Sequence, residues 1–121
     1  MSKIIIIVIS LFLYSKTSIA MDFLDCIKDI PVHNKIIEIK DSCFLFDSDV
    51  GKIVSVEASS VLSNIEVLEF YKTLLIQFGW DLQSENNNEA IVFIRENEIL
   101  KINFNKTNNI LFSNFLSLKN N

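Results

Sequence analysis

The segment from Ser63 to Trp80, SNIEVLEFYKTLLIQFGW, carries a start signal, one apolar face and a stop signal, and so constrains the fold more than any other part of the chain. Ser63 with Glu66 three residues on has the form of a capping box, in which each side chain satisfies a backbone N–H that the first helical turn leaves unpaired. Val67, Leu68, Tyr71, Leu74, Leu75 and Phe78 recur at three- and four-residue steps as an apolar stripe, with Glu66, Glu69, Lys72, Thr73 and Gln77 on the other side. Gly79 stands where a left-handed C′ residue ends a helix, and Trp80 is placed to fold back on Leu75 as in a Schellman motif. The spacing predicts an amphipathic helix that packs one face and then turns back into a strand.

The first 20 residues have the layout of a secretory signal: a basic start at Lys3, an apolar core from Ile4 to Tyr14, and a polar stretch ending Ser18-Ile19-Ala20. That core is 11 residues long, short of the roughly 20 that cross a bilayer as a helix. Cleavage is expected between Ala20 and Met21, with an uncleaved membrane anchor as the rival reading. Cys26 is a poor lipid-bearing residue, because Asp25 precedes it and it lies beyond the apolar core. The domain reading is a signal peptide over 1–20 and one domain over 21–121, in the periplasm or secreted. Loss of Lys3 and Lys16 leaves 9 basic and 15 acidic residues, a net charge of −6 against −4 for the whole chain. The basic residues are scattered singly, so nucleic acid and anionic lipid are both disfavoured partners.

Cys26 and Cys43 are the only two cysteines, and in an oxidising compartment they can form a bridge that stabilises by about 3 kcal/mol. The alternative is two buried thiols.

Along the rest of the chain, Asp22–Ile30 reads as one or two helical turns ended by Pro31, with Phe23, Ile27 and Ile30 at helical steps. Val32–Lys40 reads as a strand or an extended connection. Ser42–Phe46 and Lys52–Ala58 read as an antiparallel hairpin around Asp47-Ser48-Asp49-Val50-Gly51. After the helix, Trp80–Gln83, Ala90–Arg95, Ile99–Phe104 and Ile110–Leu118 read as strands, with a loop over Glu85–Glu89. The expectation is an α+β fold of order α β β α β β β: one long amphipathic helix on an antiparallel sheet of about five strands.

The residue types that could carry chemistry each have a structural reason for standing where they do. Acidic pairs at Asp22/Asp25, Asp47/Asp49, Glu66/Glu69 and Glu96/Glu98 sit in first turns, tight turns or a solvated helix face. Asp47-Ser48-Asp49-Val50-Gly51 opens like a calcium loop, but the later glycine and acid do not fall where that geometry requires. His33 is the only histidine and has no placed nucleophile, and two glycines cannot build a phosphate-cradling loop. The reading is non-enzymatic, with no cofactor and no metal. Trp80 reads first as core, with its indole N–H bonded to a carbonyl. Phe70 and Ile76, which interrupt the polar side of the helix, are the candidate partner surface, joined by Trp80 or Tyr71 should either be exposed.

The run Val67-Leu68-Glu69-Phe70-Tyr71, then Phe78-Gly79-Trp80, then Val92-Phe93-Ile94-Arg95 and Glu98-Ile99-Leu100-Lys101-Ile102 resembles a small exported module of α-proteobacterial envelope proteins. It is more distantly similar to the helix-on-sheet domains of the outer-membrane β-barrel assembly lipoprotein C. The chain lacks that lipoprotein's lipid-bearing cysteine at the cleavage site. The resemblance implies no catalytic residues. Export, an acidic surface and the lack of a site point to a module that binds or scaffolds another envelope protein. The alternative is a small-ligand carrier with an apolar pocket lined by Phe93, Ile102 and Phe112.

Overall fold

A computed structural model describes residues 21–87 and 89–118. The expected cleavage site reaches Ala20 and the signal segment, which lie outside the described residues. The central prediction holds at the level of the helix: α1 spans Asn64–Gln77, and Ser63 and Glu66 form a complete capping box. The Glu66 N–H donates to the Ser63 hydroxyl at 3.2 Å, and the Ser63 N–H donates to the Glu66 carboxylate at 2.9 Å. At the other end the Trp80 N–H donates to the Leu75 carbonyl and the Gly79 N–H to the Ile76 carbonyl. These are the two bonds of a Schellman motif, with Gly79 at φ 89°.

The expected α+β architecture is overturned. The molecule is mostly β, with a helix of 14 residues and, among the described residues, nine strands in two antiparallel sheets. β1 (Asp22–Phe23) and β2 (Pro31–Val32) pair with each other. The other seven are β3 (Ile36–Glu38), β4 (Phe44–Asp47), β5 (Gly51–Ser60), β6 (Asp81–Asn86), β7 (Ala90–Arg95), β8 (Glu98–Phe104) and β9 (Ile110–Ser117). They form one sheet in the order β3-β5-β9-β8-β7-β6, with β4 also on β5. β3 pairs with Ala58–Ser60 and β4 with Lys52–Ser55, so two short strands lie end to end along one side of the ten-residue β5.

The helix expected over Asp22–Ile30 is a chain of turns between β1 and β2. Leu24 donates its N–H to the Ile30 carbonyl and Ile30 donates to the Ile27 carbonyl, so Leu24, Ile27 and Ile30 reach the core without a helix. A nine-residue helix is marginal in isolation. Here long-range bonds outcompete it: the Glu38 carboxylate accepts the N–H groups of both Asp25 and Cys26. Phe23, placed on the packed face by the helical reading, is 40 % exposed.

Alternation along the strands sends Val56 and Ala58 of β5, Ile91 and Phe93 of β7, Leu100 and Ile102 of β8, and Ile110 and Phe112 of β9 to one face. Val67, Leu68, Tyr71 and Leu75 of α1 close over that face. The Tyr71 ring meets Phe112 edge-on at 5.5 Å, and its hydroxyl donates to the Pro31 carbonyl at 2.8 Å. Burial pushes the Tyr71 phenol well above its usual range. No helix among the described residues is long and apolar enough to cross a membrane.

Candidate functional site

Residues that could carry chemistry hold structural posts. The His33 Nδ1 accepts the Lys35 N–H at 3.0 Å, and its ring stands edge-on to Phe70 at 5.2 Å. It organises a turn and packs. Asp47 and Asp49 lie in and beside the β4–β5 turn, where Ser48 donates its N–H to the Gly51 carbonyl. Among the described residues no three His, Cys, Asp or Glu side chains gather as a metal site. Cys26 and Cys43 form a disulfide that pins the turn after β1 to the start of β4.

The structure does not bring Phe70, Ile76 and Trp80 together as a surface. Ile76 is 59 % exposed, Phe70 is half-buried between His33 and Tyr71, and Trp80 is 1 % exposed. Trp80 therefore drops out as a contact residue, as does Tyr71, which is buried. The Arg95 guanidinium lies 4.1 Å from the Trp80 ring centroid, a cation–π contact. Arg95 also donates to the Phe78 carbonyl at 3.3 Å, to Glu98 at 2.9 Å and to Asp29. One side chain thus ties the helix C-terminus, the β7–β8 turn and the segment before β2. The Trp80 indole N–H, expected on a carbonyl, has no hydrogen-bond partner among the described residues.

The apolar pocket residues of the carrier reading are packed core: Phe93, Ile102 and Phe112 are each 0 % exposed. A cleft of about 420 Å³ opens instead at one end of the sheet, walled by Asn64, Asn86, Asn103, Asn105, Lys101 and Lys106 among others. The Asn105 amide oxygen is spent on the N–H groups of Thr107 and Asn109, which makes this wall a braced turn.

The feature that sequence reasoning missed is the sheet face turned away from α1. Cross-strand registers place Phe46 beside Ile53, Ile53 beside Phe115, Phe115 beside Ile99, and Ile99 beside Ile94. Alternation puts all five opposite the core face, so an apolar row crosses five strands. Phe46 is 52 %, Ile53 38 % and Ile99 41 % exposed, with Phe115 and Ile94 half-buried. The next row runs Phe44, Ser55, Ser113, Lys101 and Val92. The signal was present in Phe44-Leu45-Phe46, three consecutive apolar residues in a strand whose two faces should differ.

No family model, curated protein or solved structure matches this chain.

Proposed function

We propose that this is an exported, non-enzymatic protein that docks another envelope protein in the periplasm on the apolar open face of its sheet. The observation that carries the reading is the row Phe46, Ile53, Phe115, Ile99 and Ile94, which no element among the described residues covers. Scattered exposed apolar residues are ordinary, but a contiguous row rimmed by Ser55, Ser113 and Lys101 has the make-up of a contact surface, apolar at the centre and polar around it. The N-terminal signal layout and the resemblance to small envelope proteins support the location.

The test is in-cell photo-crosslinking from position 99, with position 65 on the helix as control, since Ile65 is 54 % exposed on the opposite side. A discrete adduct with one envelope protein from position 99 and none from 65 is the expected result. Equal labelling from both positions, or none from position 99, removes the reading.

A further inference from the structure

The two sides of the seven-stranded sheet are finished differently. β6 has a register shift between Leu82 and Ser84, carboxylates at Asp81 and Glu85, and one apolar residue. Irregularities and charges of this kind stop an edge from adding strands. β4 lacks them at its centre: Phe44, Leu45 and Phe46 are 58, 57 and 52 % exposed, and a charge appears only at Asp47. Its free backbone groups follow from the ladder. Ser48 bonds Gly51, and antiparallel pairs alternate between bonded and non-bonded. Phe46 opposite Ile53 and Phe44 opposite Ser55 therefore spend their N–H and C=O groups on β5. Leu45 and Asp47 point theirs outward.

We propose that β4 pairs antiparallel with β4 of a second copy of this chain, about a two-fold axis at Leu45, joining the two open faces into one apolar surface. The inference rests on reading that face as the docking surface. The strand is self-complementary in this register. Leu45 meets the second copy's Leu45 as a bonded pair, each donating its N–H to the other's carbonyl. Phe44 meets the second copy's Phe46 as a non-bonded pair, where side chains approach most closely, and the symmetry makes two such aromatic pairs. The antiparallel sense sets the two Asp47 carboxylates at opposite ends of the junction, so like charges do not face each other. A two-fold contact uses the same edge on both copies and stops at two.

The contact is made by the β4 edges alone, where Phe44, Leu45 and Phe46 are 52 to 58 % exposed, and it leaves Ile53 of β5 on the shared open face, so it is a small contact and the dimer is reversible.

Sedimentation of the full-length chain from micromolar to millimolar concentration tests the proposal. The wild type is expected to pass from monomer to dimer, and Ser84→Lys on β6 to behave alike. Leu45→Pro removes an outward N–H that makes no bond within the sheet, and Leu45→Lys places a charge on the edge. Each should weaken dimerisation about tenfold or more, with an unchanged far-UV spectrum. Should the proline variant fail to fold, the lysine variant decides. A wild type monomeric throughout, or a Leu45→Lys dimer of undiminished affinity, overturns the proposal. A monomer that still forms the adduct from position 99 removes the dimer alone; a dimer without that adduct removes the docking partner alone.

Discussion

The two glycines serve opposite purposes, and substitution separates them. Gly79 holds φ 89° at the end of α1, and a Cβ there would meet only the Arg95 side chain, at 3.6 Å. Gly79→Ala therefore pays for backbone conformation alone, about 1 kcal/mol. Gly51 opens β5 where a Cβ would lie 2.6 Å from the Leu116 carbonyl oxygen and 2.8 Å from the Phe115 ring. Gly51→Ala should cost more, about 2 kcal/mol or above, because β9 itself must move. Urea titration of both variants checks the order; a Gly79 variant less stable than the Gly51 variant would contradict it. Glu66 supplies the pH dependence at this scale. Hydrogen bonding from the Ser63 backbone N–H, and then from the Ser63 side chain, holds the Glu66 carboxyl below its usual 4.5. A depressed folded value means that the stabilisation is present above the unfolded pKa and is lost as pH falls through the lower folded one. Stability of the wild type relative to Glu66→Gln should thus shrink on acidification below about pH 4.5. A flat difference across that window would exclude the capping-box contribution. Ser63, Glu66, Gly79 and Trp80 were legible in the sequence because cap signals act within one turn of chain. The Arg95 stack on Trp80 was not, since its two members meet only after β6 and β7 are paired.

Individual elements were legible in proportion to how local their determinants are. The β4–β5 hairpin, β7, β8 and β9 follow from alternation and turn residues, and each lies within a residue or two of its sequence reading. β1 and β2 are two residues each and pair with each other across turns that carry helical spacing, so alternation cannot mark them, while β3 falls inside the Val32–Lys40 segment read as a strand or an extended connection and is fixed by its distant partner β5. The turns over Leu24–Ile30 imitate helical spacing because they bury every third residue, while the Glu38 carboxylate and the Cys26–Cys43 bridge hold them in place. The bridge has a sequence separation of 17, and its loss should cost about 3 kcal/mol through the freedom returned to the unfolded chain. Cys43→Ser, compared with wild type by denaturant titration under non-reducing conditions, reads that loss. An unchanged midpoint would show that the bonds the Asp25 and Cys26 N–H groups donate to Glu38 retain the segment by themselves.

At the scale of the molecule, a sheet of seven strands offers two faces, and one 14-residue helix covers part of one. The sequence shows the helix and enough apolar residues for a core, but not which face each strand turns outward. Register is a property of pairs of strands, and Phe46, Ile53, Phe115, Ile99 and Ile94 become neighbours only once five strands are aligned. That row is uncovered among the described residues, and β4 is the apolar edge of the same sheet that has no register shift, with the N–H and C=O groups of Leu45 and Asp47 turned away from β5. Amide hydrogen exchange along β4 in dilute solution tests that claim most directly. The account predicts slow exchange at Phe44 and Phe46, which bond β5, and fast exchange at Leu45 and Asp47, which slows as concentration rises. Protection of Leu45 equal to that of Phe46 in the dilute monomer would mean that the edge is already covered, and would contradict it.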